Sequence, residues 1–139
     1  MTSDVDWVPG HLEHLSTEES LTLAASRPIG RISYCTDLGP VTIPVNHRVI
    51  DGDIYLLTSP ASGWLRPLSQ GSQVCFEVDD IDEFFHYGWS VLIHGPVCAP
   101  ELGAFPADKE LPKPWAGGER TFLIKIRTER VTGRRVMEA

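Results

Sequence analysis

The feature that most constrains the fold is an alternation of apolar and polar residues that begins after Pro28 and recurs in short runs. A period of two is typical of β-strands that bury one face. The runs are separated by short connections, and Asp51-Gly-Asp53 contains the glycine that a tight hairpin turn needs for a positive φ. We therefore expect β-strands at residues 29–36, 41–46, 54–58, 74–78, 89–97, 121–127 and 130–136.

One helix signal precedes these strands. Ser16-Thr-Glu-Glu19 has the spacing of a capping box, in which the serine hydroxyl and Glu19 satisfy amide groups at the start of a helix. The helix should continue to Ala25 and end before Pro28, because proline lacks an amide hydrogen and clashes with the preceding turn. Residues 99–119 are rich in proline and glycine and predict an irregular segment with a short helix at most.

Six or seven short strands with few helices indicate a mainly β protein. The favoured architecture is an antiparallel sheet closed into a barrel, and a β-sandwich is the alternative that the strand pattern leaves open. A chain of 139 residues has the size of one domain. We expect that single domain to consist of an N-terminal extension, residues 1–14, and the barrel, residues 15–136.

Composition excludes several classes of protein. A net charge of −7 argues against a general nucleic-acid-binding protein, because contacts to phosphates need a positive surface. Apolar runs are only a few residues long, so we expect no membrane segment, and the acidic start does not resemble a signal peptide. Three widely spaced cysteines, Cys35, Cys75 and Cys98, favour reduced thiols and a cytoplasmic location.

The sequence contains none of the common hydrolase, phosphate-loop or dinucleotide-binding motifs. Its five histidines and three cysteines form no Cys-x-x-Cys or His-x-x-x-His pair, so we expect no metal site. The sequence also shows no arrangement of a nucleophile with a neighbouring base, so no catalytic residue is assigned.

Charge is unevenly distributed along the chain. Residues 77–83 carry five acidic side chains, whereas residues 120–139 carry six basic side chains against two acidic ones. The simpler interpretation is two solvated faces of opposite sign. The alternative is a basic tail that lines a pocket for an anionic ligand, or that contacts an acidic surface of a second subunit.

Residues 41–66 hold the most informative pattern. Pro44 removes one donor from its strand, so the sheet should be interrupted there. Asn46 offers donors and an acceptor that suit the edge of a planar heterocycle. The hydroxyls of Thr58, Ser59 and Ser62 follow the next strand, where a concave donor site suits a phosphate. The alternative interpretation is a turn made of ordinary turn-forming residues.

Seven short motifs follow one another along the chain in a defined order. They are Gly30-Arg-Ile-Ser-Tyr34, Val41-x-Ile-Pro-Val-Asn46, Asp51-Gly-Asp-Ile-Tyr55, Thr58-x-Pro-x-Ser62, Glu77-Val-Asp-Asp-Ile-Asp82, Gly88-Trp-Ser-Val91 and Arg130-Val-Thr-Gly-Arg134. Together they resemble the pyridoxamine 5′-phosphate oxidase-like family of flavin-binding split β-barrels, and the small actinobacterial type within it. The resemblance spans residues 15–136 and rests on the order and spacing of the motifs rather than on any one of them.

The resemblance implies a six-stranded antiparallel split barrel that forms a homodimer with two FMN sites at the interface; some branches hold a deazaflavin or haem instead. It also implies a two-electron oxidoreductase, in which reduced nicotinamide or a reduced deazaflavin is the donor and a small planar molecule the substrate. Alternatives are a non-catalytic binding or storage protein, and a barrel that has lost its cofactor. The implied cofactor-binding residues are Pro44, Val45 and Asn46 at the ring, Thr58, Ser59 and Ser62 at the phosphate, and Trp89 and Trp115 as covers from the partner subunit.

Two positions depart from the family pattern. Relatives have a lysine after the serine at position 62, where this chain has Gly63, and a buried phosphate without a cation is costly. Arg66 or Arg48 is expected to supply the charge, with Arg31 or a C-terminal arginine as alternatives; otherwise the cofactor binds weakly, differs or is absent.

The second departure is His47, where many relatives have tyrosine. A histidine there is either a proton donor near the ring or a structural histidine, since its ordinary pKa of ~6.5 allows both forms at neutral pH. Trp64, Trp89 and Trp115 likewise have a simpler interpretation as core or interface residues.

Overall fold

The computed structural model describes residues 11–58, 70–100, 102–113 and 122–138. These residues form one α-helix, one short 3₁₀-helix and eight β-strands. In chain order the elements are β1 (His11–Leu15), α1 (Thr17–Ala25), β2 (Ile29–Thr36), β3 (Gly39–Ile50), β4 (Asp53–Thr58), β5 (Gln73–Asp82), β6 (Tyr87–Cys98), the 3₁₀-helix (Leu102–Ala104), β7 (Phe122–Ile126) and β8 (Arg130–Met137).

Six of the strands close into an antiparallel barrel in the order β5-β2-β3-β4-β7-β6, with β6 returning to β5. The predicted mainly β barrel is thus confirmed, and the sandwich alternative is wrong. Two further strands, β8 and β1, extend the sheet beyond β6. β1 lies, except for Leu15, in the stretch expected as an N-terminal extension, where the sequence analysis predicted no strand.

Two long strands exchange partners and thereby split the barrel into two sheets. β3 pairs with β2 as far as Asn46 and with β4 from His47 onward. β6 pairs with β5 as far as Pro96 and with β7 at Val97 and Cys98. Pro96 therefore lies where the strand changes partner, and its carbonyl oxygen accepts a hydrogen bond from the Arg127 amide at 3.0 Å.

The inward faces of the strands form one continuous core, as the alternation predicts. Its fully buried side chains come from all around the barrel and from α1. They include Ala24, Ile32, Ile54, Phe76, Val78, Val91, Ile93 and Ile126, each 0% exposed. Burial of these apolar groups is the main stabilising contribution, at about 25 cal/mol per Å² removed from water.

α1 begins where the capping box predicts. The Glu19 amide donates to the Ser16 side-chain oxygen at 3.1 Å. The Glu19 carboxylate does not turn back to the cap; it accepts a hydrogen bond from Arg135 of β8 at 3.2 Å, and Arg135 also donates to Glu13 and to the Tyr87 hydroxyl. Arg135 therefore ties α1 and β1 to the sheet. Among the described residues no helix is long and apolar enough to cross a membrane.

Candidate functional site

A cleft of about 440 Å³ opens where the two sheets separate, and we call it the β3 cleft. Its walls are the end of α1 with the turn that follows, the bend of β3, and part of the segment after the 3₁₀-helix. The lining residues are Ala25, Ser26, Arg27, Pro28, Asn46, His47, Arg48, Val49, Leu111 and Lys113. Asn46, which the sequence pattern assigned to ligand binding, lies in this wall.

The alternation along β3 decides which side chains face the cleft. Asn46 and Arg48 are two residues apart and are half-buried, whereas His47 between them is only 4% exposed. Successive side chains of a strand point to opposite faces. The amide of Asn46 and the guanidinium of Arg48 therefore share the outer face, and the imidazole of His47 points into the barrel.

His47 joins the bend of β3 to α1. Its Nε2 lies 2.9 Å from the Ala24 carbonyl oxygen, and its amide donates to the Pro28 carbonyl oxygen at 3.0 Å. A carbonyl oxygen only accepts, so Nε2 carries the proton. Burial lowers the pKa of the imidazole, which is consequently neutral at pH 7. The ring also packs edge-on against Phe76, with centroids 4.9 Å apart.

The Nδ1 atom of His47 has no hydrogen-bond partner among the described residues. In the neutral ring this nitrogen has a lone pair and no proton, so it accepts rather than donates. These contacts fit the structural-histidine interpretation, and a role for His47 as proton donor stays a prediction.

Three cationic side chains line the β3 cleft: Arg27, Arg48 and Lys113. One carboxylate, Glu110, lies 3.6 Å from Arg48 and 3.4 Å from Lys113. Among the described residues, the ion-pair partner of Arg27 is the distant Asp80 at 3.9 Å. In a protein of net charge −7, this cleft is therefore a local concentration of positive charge suited to an anionic group.

The structure shows where two of the arginines lie that were predicted to supply the missing positive charge. Arg31 is held by Glu77 at 2.9 Å and by Asp79 at 3.2 Å on another part of the sheet, so its charge is already paired. Arg48 lies beside Asn46 in the cleft wall. Of the two described candidates Arg31 and Arg48, Arg48 is the one that lines the β3 cleft. Arg66 lies outside the described residues.

Some of the other predicted site residues lie on described strands, and the rest lie outside the described residues. Pro44 is exposed and Val45 half-buried on β3, where Val45 lies opposite Gly30 of β2. Thr58 is only 3% exposed at the end of β4, and it has a partner of its own. Their roles toward a ligand stay predictions. The predicted residues outside the described ranges are Ser59, Ser62, Arg66 and Trp115, with the departure Gly63.

Trp89 is 6% exposed and belongs to the hydrophobic core. It lies opposite Asp80 on β5 and Arg135 on β8, and it does not line the β3 cleft of its own chain. Within one protomer it is a packing residue, which is the simpler of the two interpretations of this tryptophan. A contact from Trp89 to a cofactor bound by a second subunit stays a prediction.

Lys113, Glu110 and Arg27 are site residues that the sequence pattern did not single out. Lys113 and Glu110 come from the irregular segment, more than sixty residues after Asn46. They lie close to β3 because Leu111, between them in the chain, packs against the hydrophobic cluster of Ile50, Tyr55 and Leu123. No spacing rule in the sequence reports such a contact.

The acidic run forms a second electrostatic cluster on the outer face of β5. The pKa of Glu77 is raised to about 7, first by burial and then by a hydrogen bond and charge repulsion from Asp79. The Arg31 guanidinium acts in the opposite direction and lowers this pKa. Two carboxyl groups thus share one arginine. Within one chain this run pairs with Arg31 and Arg27 rather than with the basic C-terminal strand.

Known proteins resemble this chain in sequence and in fold. The family model described as pyridoxamine 5′-phosphate oxidase matches residues 16–135. The uncharacterised protein Rv0080 of Mycobacterium tuberculosis is 33% identical over 130 residues, which cover 88% of this chain and 84% of the relative.

Two solved structures from Mycobacterium smegmatis share the architecture. An FAD-binding protein superposes with a TM-score of 0.69 at 24% identity, covering 90% of this chain and 98% of the other. An FAD- and haem-binding protein superposes with a TM-score of 0.67 at 15% identity, covering 91% and 74%. At these identities the likeness shows the fold alone, and the fold family includes proteins that bind flavin and haem. The family match over most of the chain shows that it belongs to the pyridoxamine 5′-phosphate oxidase family.

Proposed function

We propose that the protein binds FMN in the β3 cleft and acts as a flavin-dependent two-electron oxidoreductase on a small planar substrate. The observation that carries this proposal is the cleft itself, in which Asn46, Arg48 and Lys113 line one cavity at the split of the barrel. When bound, the flavin supplies the hydride chemistry, so the protein needs no nucleophile of its own.

The residues of the cleft fit both ends of such a cofactor. A phosphate needs cations, and Arg48, Lys113 and Arg27 provide three. An isoalloxazine ring needs an apolar wall with a few polar groups, and Val49 and Leu111 lie beside the Asn46 amide. The volume of about 440 Å³ lies within the range of roughly 300–1,000 Å³ of small-molecule sites. Hydroxyls of Ser59 and Ser62 and the charge of Arg66 would add to the phosphate site.

The active form proposed here is a homodimer. A cleft formed by one protomer supports one side of a planar ring, and a second copy would cover the other side, with Trp89 and Trp115 as the predicted covers. Reduced nicotinamide or a reduced deazaflavin would serve as electron donor. The three cysteines are all unpaired in the structure, which supports a reducing compartment such as the cytoplasm.

The absorbance spectrum of freshly purified protein tests the proposal, followed by mass identification of any molecule released on denaturation. A flavin spectrum with released FMN supports it, and oxidation of reduced nicotinamide with an acceptor present then separates an oxidoreductase from a storage protein. A Soret band would indicate haem instead. A colourless protein that does not bind added FMN would contradict the proposal and favour a barrel without a cofactor.

A further inference from the structure

We propose that Glu110 is a specificity-determining residue of the β3 cleft: its carboxylate, beside the cavity, pairs with two of the cleft cations and competes for them with the phosphate of an incoming flavin. The inference rests on the proposed flavin site. It adds that the affinity of this chain for phosphorylated flavins is set by a competition for these cations, and not by Arg48 and Lys113 alone.

The geometry is that of one oxygen shared by two cations. Glu110 Oε2 lies 3.6 Å from Arg48 Nη1 and 3.4 Å from Lys113 Nζ. Both cations line the cleft, whereas Glu110 is not part of its wall. The carboxylate therefore lies beside the cavity and neutralises two of its three cations.

The backbone that carries Glu110 is anchored. Its neighbour Leu111 packs against the cluster of Ile50, Tyr55 and Leu123, and Phe105 of the same segment lies edge-on to Tyr55 with ring centroids 5.2 Å apart. Glu110 is consequently presented to the cleft at a defined place. Only its side chain has to move for the cations to become available.

The contacts themselves are weak enough to be displaced. The side chain of Glu110 is 70% exposed and that of Lys113 is 80% exposed, and ion pairs of this kind contribute little to stability. A phosphate carries about −1.5 to −2 charges, more than one carboxylate, and has three acceptor oxygens. A flavin phosphate should therefore displace Glu110, while ligands with weaker anionic groups or none gain nothing from the cations.

The test compares Glu110→Gln with the unmodified full chain. FMN and riboflavin are titrated by flavin fluorescence at low ionic strength, because the two ligands share the ring and differ in the phosphate. We expect Glu110→Gln to tighten FMN binding about three- to tenfold, since two exposed ion pairs no longer compete. Riboflavin affinity should change less than about twofold, and added salt should reduce the gain for FMN.

Asp108→Asn is the matched control. It removes the same charge two residues away, where the ion-pair partner of Asp108 in the described part of the chain is Lys109 at 4.0 Å and Asp108 is not among the residues that line the cleft. Its effect on FMN affinity should be under about twofold, as for charges acting at a distance through solvent. A second control combines Glu110→Gln with Lys113→Gln, which should reduce the gain because one of the released cations is absent.

The outcomes separate the two proposals. If FMN binds and Glu110→Gln leaves its affinity unchanged, or improves riboflavin equally, the role of Glu110 is wrong and the flavin site stands. If neither protein binds either flavin, the proposed function fails, and the effect of inorganic pyrophosphate on thermal unfolding then decides the role of Glu110. Greater stabilisation of Glu110→Gln than of the unmodified chain is the expected result there, and equal stabilisation would overturn the inference.

Discussion

The Nε2 atom of His47 lies 2.9 Å from the carbonyl oxygen of Ala24, and this contact fixes the bend of β3 against the last turn of α1. The β3 cleft is bounded by these two elements, so its shape depends on the contact. A second proton on the imidazole would place a charge in the core and an Nδ1–H beside no acceptor among the described residues. The site therefore requires a neutral histidine.

This requirement predicts a pH dependence of stability. Burial lowers the pKa of His47 in the folded state, so the unfolded chain binds a proton first as the pH falls below about 6.5. The contribution of His47 to the free energy of unfolding should therefore decrease from pH 7 to pH 5, whereas Glu77 contributes with the opposite sign in this range. His47→Gln should reduce this slope and cost about 2 kcal/mol at pH 7, measured by urea denaturation at each pH.

Two variants control for other histidines. His14→Gln changes an exposed residue of β1 and should leave the stability at pH 7 nearly unchanged. The pKa of His94 is lowered by burial and by Arg130, so His94 also destabilises the folded state as the pH falls. His94→Gln therefore measures the contribution of His94 to the pH dependence of stability. A slope that persists in His47→Gln and disappears in His94→Gln would show that the dependence does not come from His47.

Glu77 predicts a slope of the opposite sign. Its pKa is raised to about 7 by burial and by Asp79, so between pH 4.5 and 7 the folded carboxyl keeps a proton that the unfolded one has released. This contribution to stability decreases as the pH rises through that window. Glu77→Gln should therefore increase the free energy of unfolding at pH 8 relative to pH 5, by comparison with the unmodified chain.

The glutamine retains an oxygen that can accept from Arg31, which limits the loss of that contact. Glu83→Gln, at an exposed position of the same acidic run, controls for the change in net charge. An equal gain in stability at pH 5 and pH 8 would mean that the Glu77 carboxyl does not titrate in this window.

A third prediction concerns the exchange of partners in β6. A Cβ atom added to Gly95 would overlap the carbonyl oxygen of Arg127, which is backbone and unable to move aside. Gly95→Ala should cost about 3 kcal/mol or more. Gly103→Ala adds a methyl group where no atom lies within 4 Å and should change stability by less than about 0.5 kcal/mol. Similar urea midpoints for the two variants would contradict the close approach.

Local patterns in the sequence predicted most of the fold. The alternation predicted seven of the strands because each buries one face, and Ser16 and the Asp51–Gly52 turn marked element boundaries because capping and positive φ act over a few residues. β1 was missed because its pairing with β8 depends on residues more than a hundred positions away. The partner exchange of β3 between Asn46 and His47 has the same non-local origin.

The candidate site shows the same division. Asn46 was predicted to bind a ligand from its position beside Pro44 and from the family motif, and the structure places it in the β3 cleft with Arg48, one of several predicted cations. Lys113 and Glu110 were not found, because they reach the cleft only through the packing of Leu111 and Phe105 on Tyr55. Chemistry contributed by one strand is visible in the sequence, whereas chemistry contributed by an irregular segment is not.

The proposed division of the cleft into a phosphate end and a ring end predicts opposite ligand selectivity for two neighbouring residues. Arg48→Gln should weaken FMN binding about tenfold or more and affect riboflavin little, because the lost contact is a charge-assisted hydrogen bond to a phosphate. Asn46→Ala should weaken the binding of FMN and of riboflavin by a similar factor, because the amide is proposed to contact the ring that both ligands share. Fluorescence titration of both ligands with each variant measures the two effects.

Arg127→Gln is the control for Arg48, since Arg127 contacts Glu129 and does not line the cleft. Arg66→Ala belongs to the same series, because Arg66 follows Ser59 and Ser62, the hydroxyl residues that are predicted to bind the phosphate. If Arg66→Ala weakens FMN binding while Arg48→Gln does not, the phosphate is held by the segment after β4, and the cations of the β3 cleft serve another anion. A loss of FMN affinity in Arg48→Gln with riboflavin unchanged places the phosphate beside Arg48, since only that group distinguishes the two ligands.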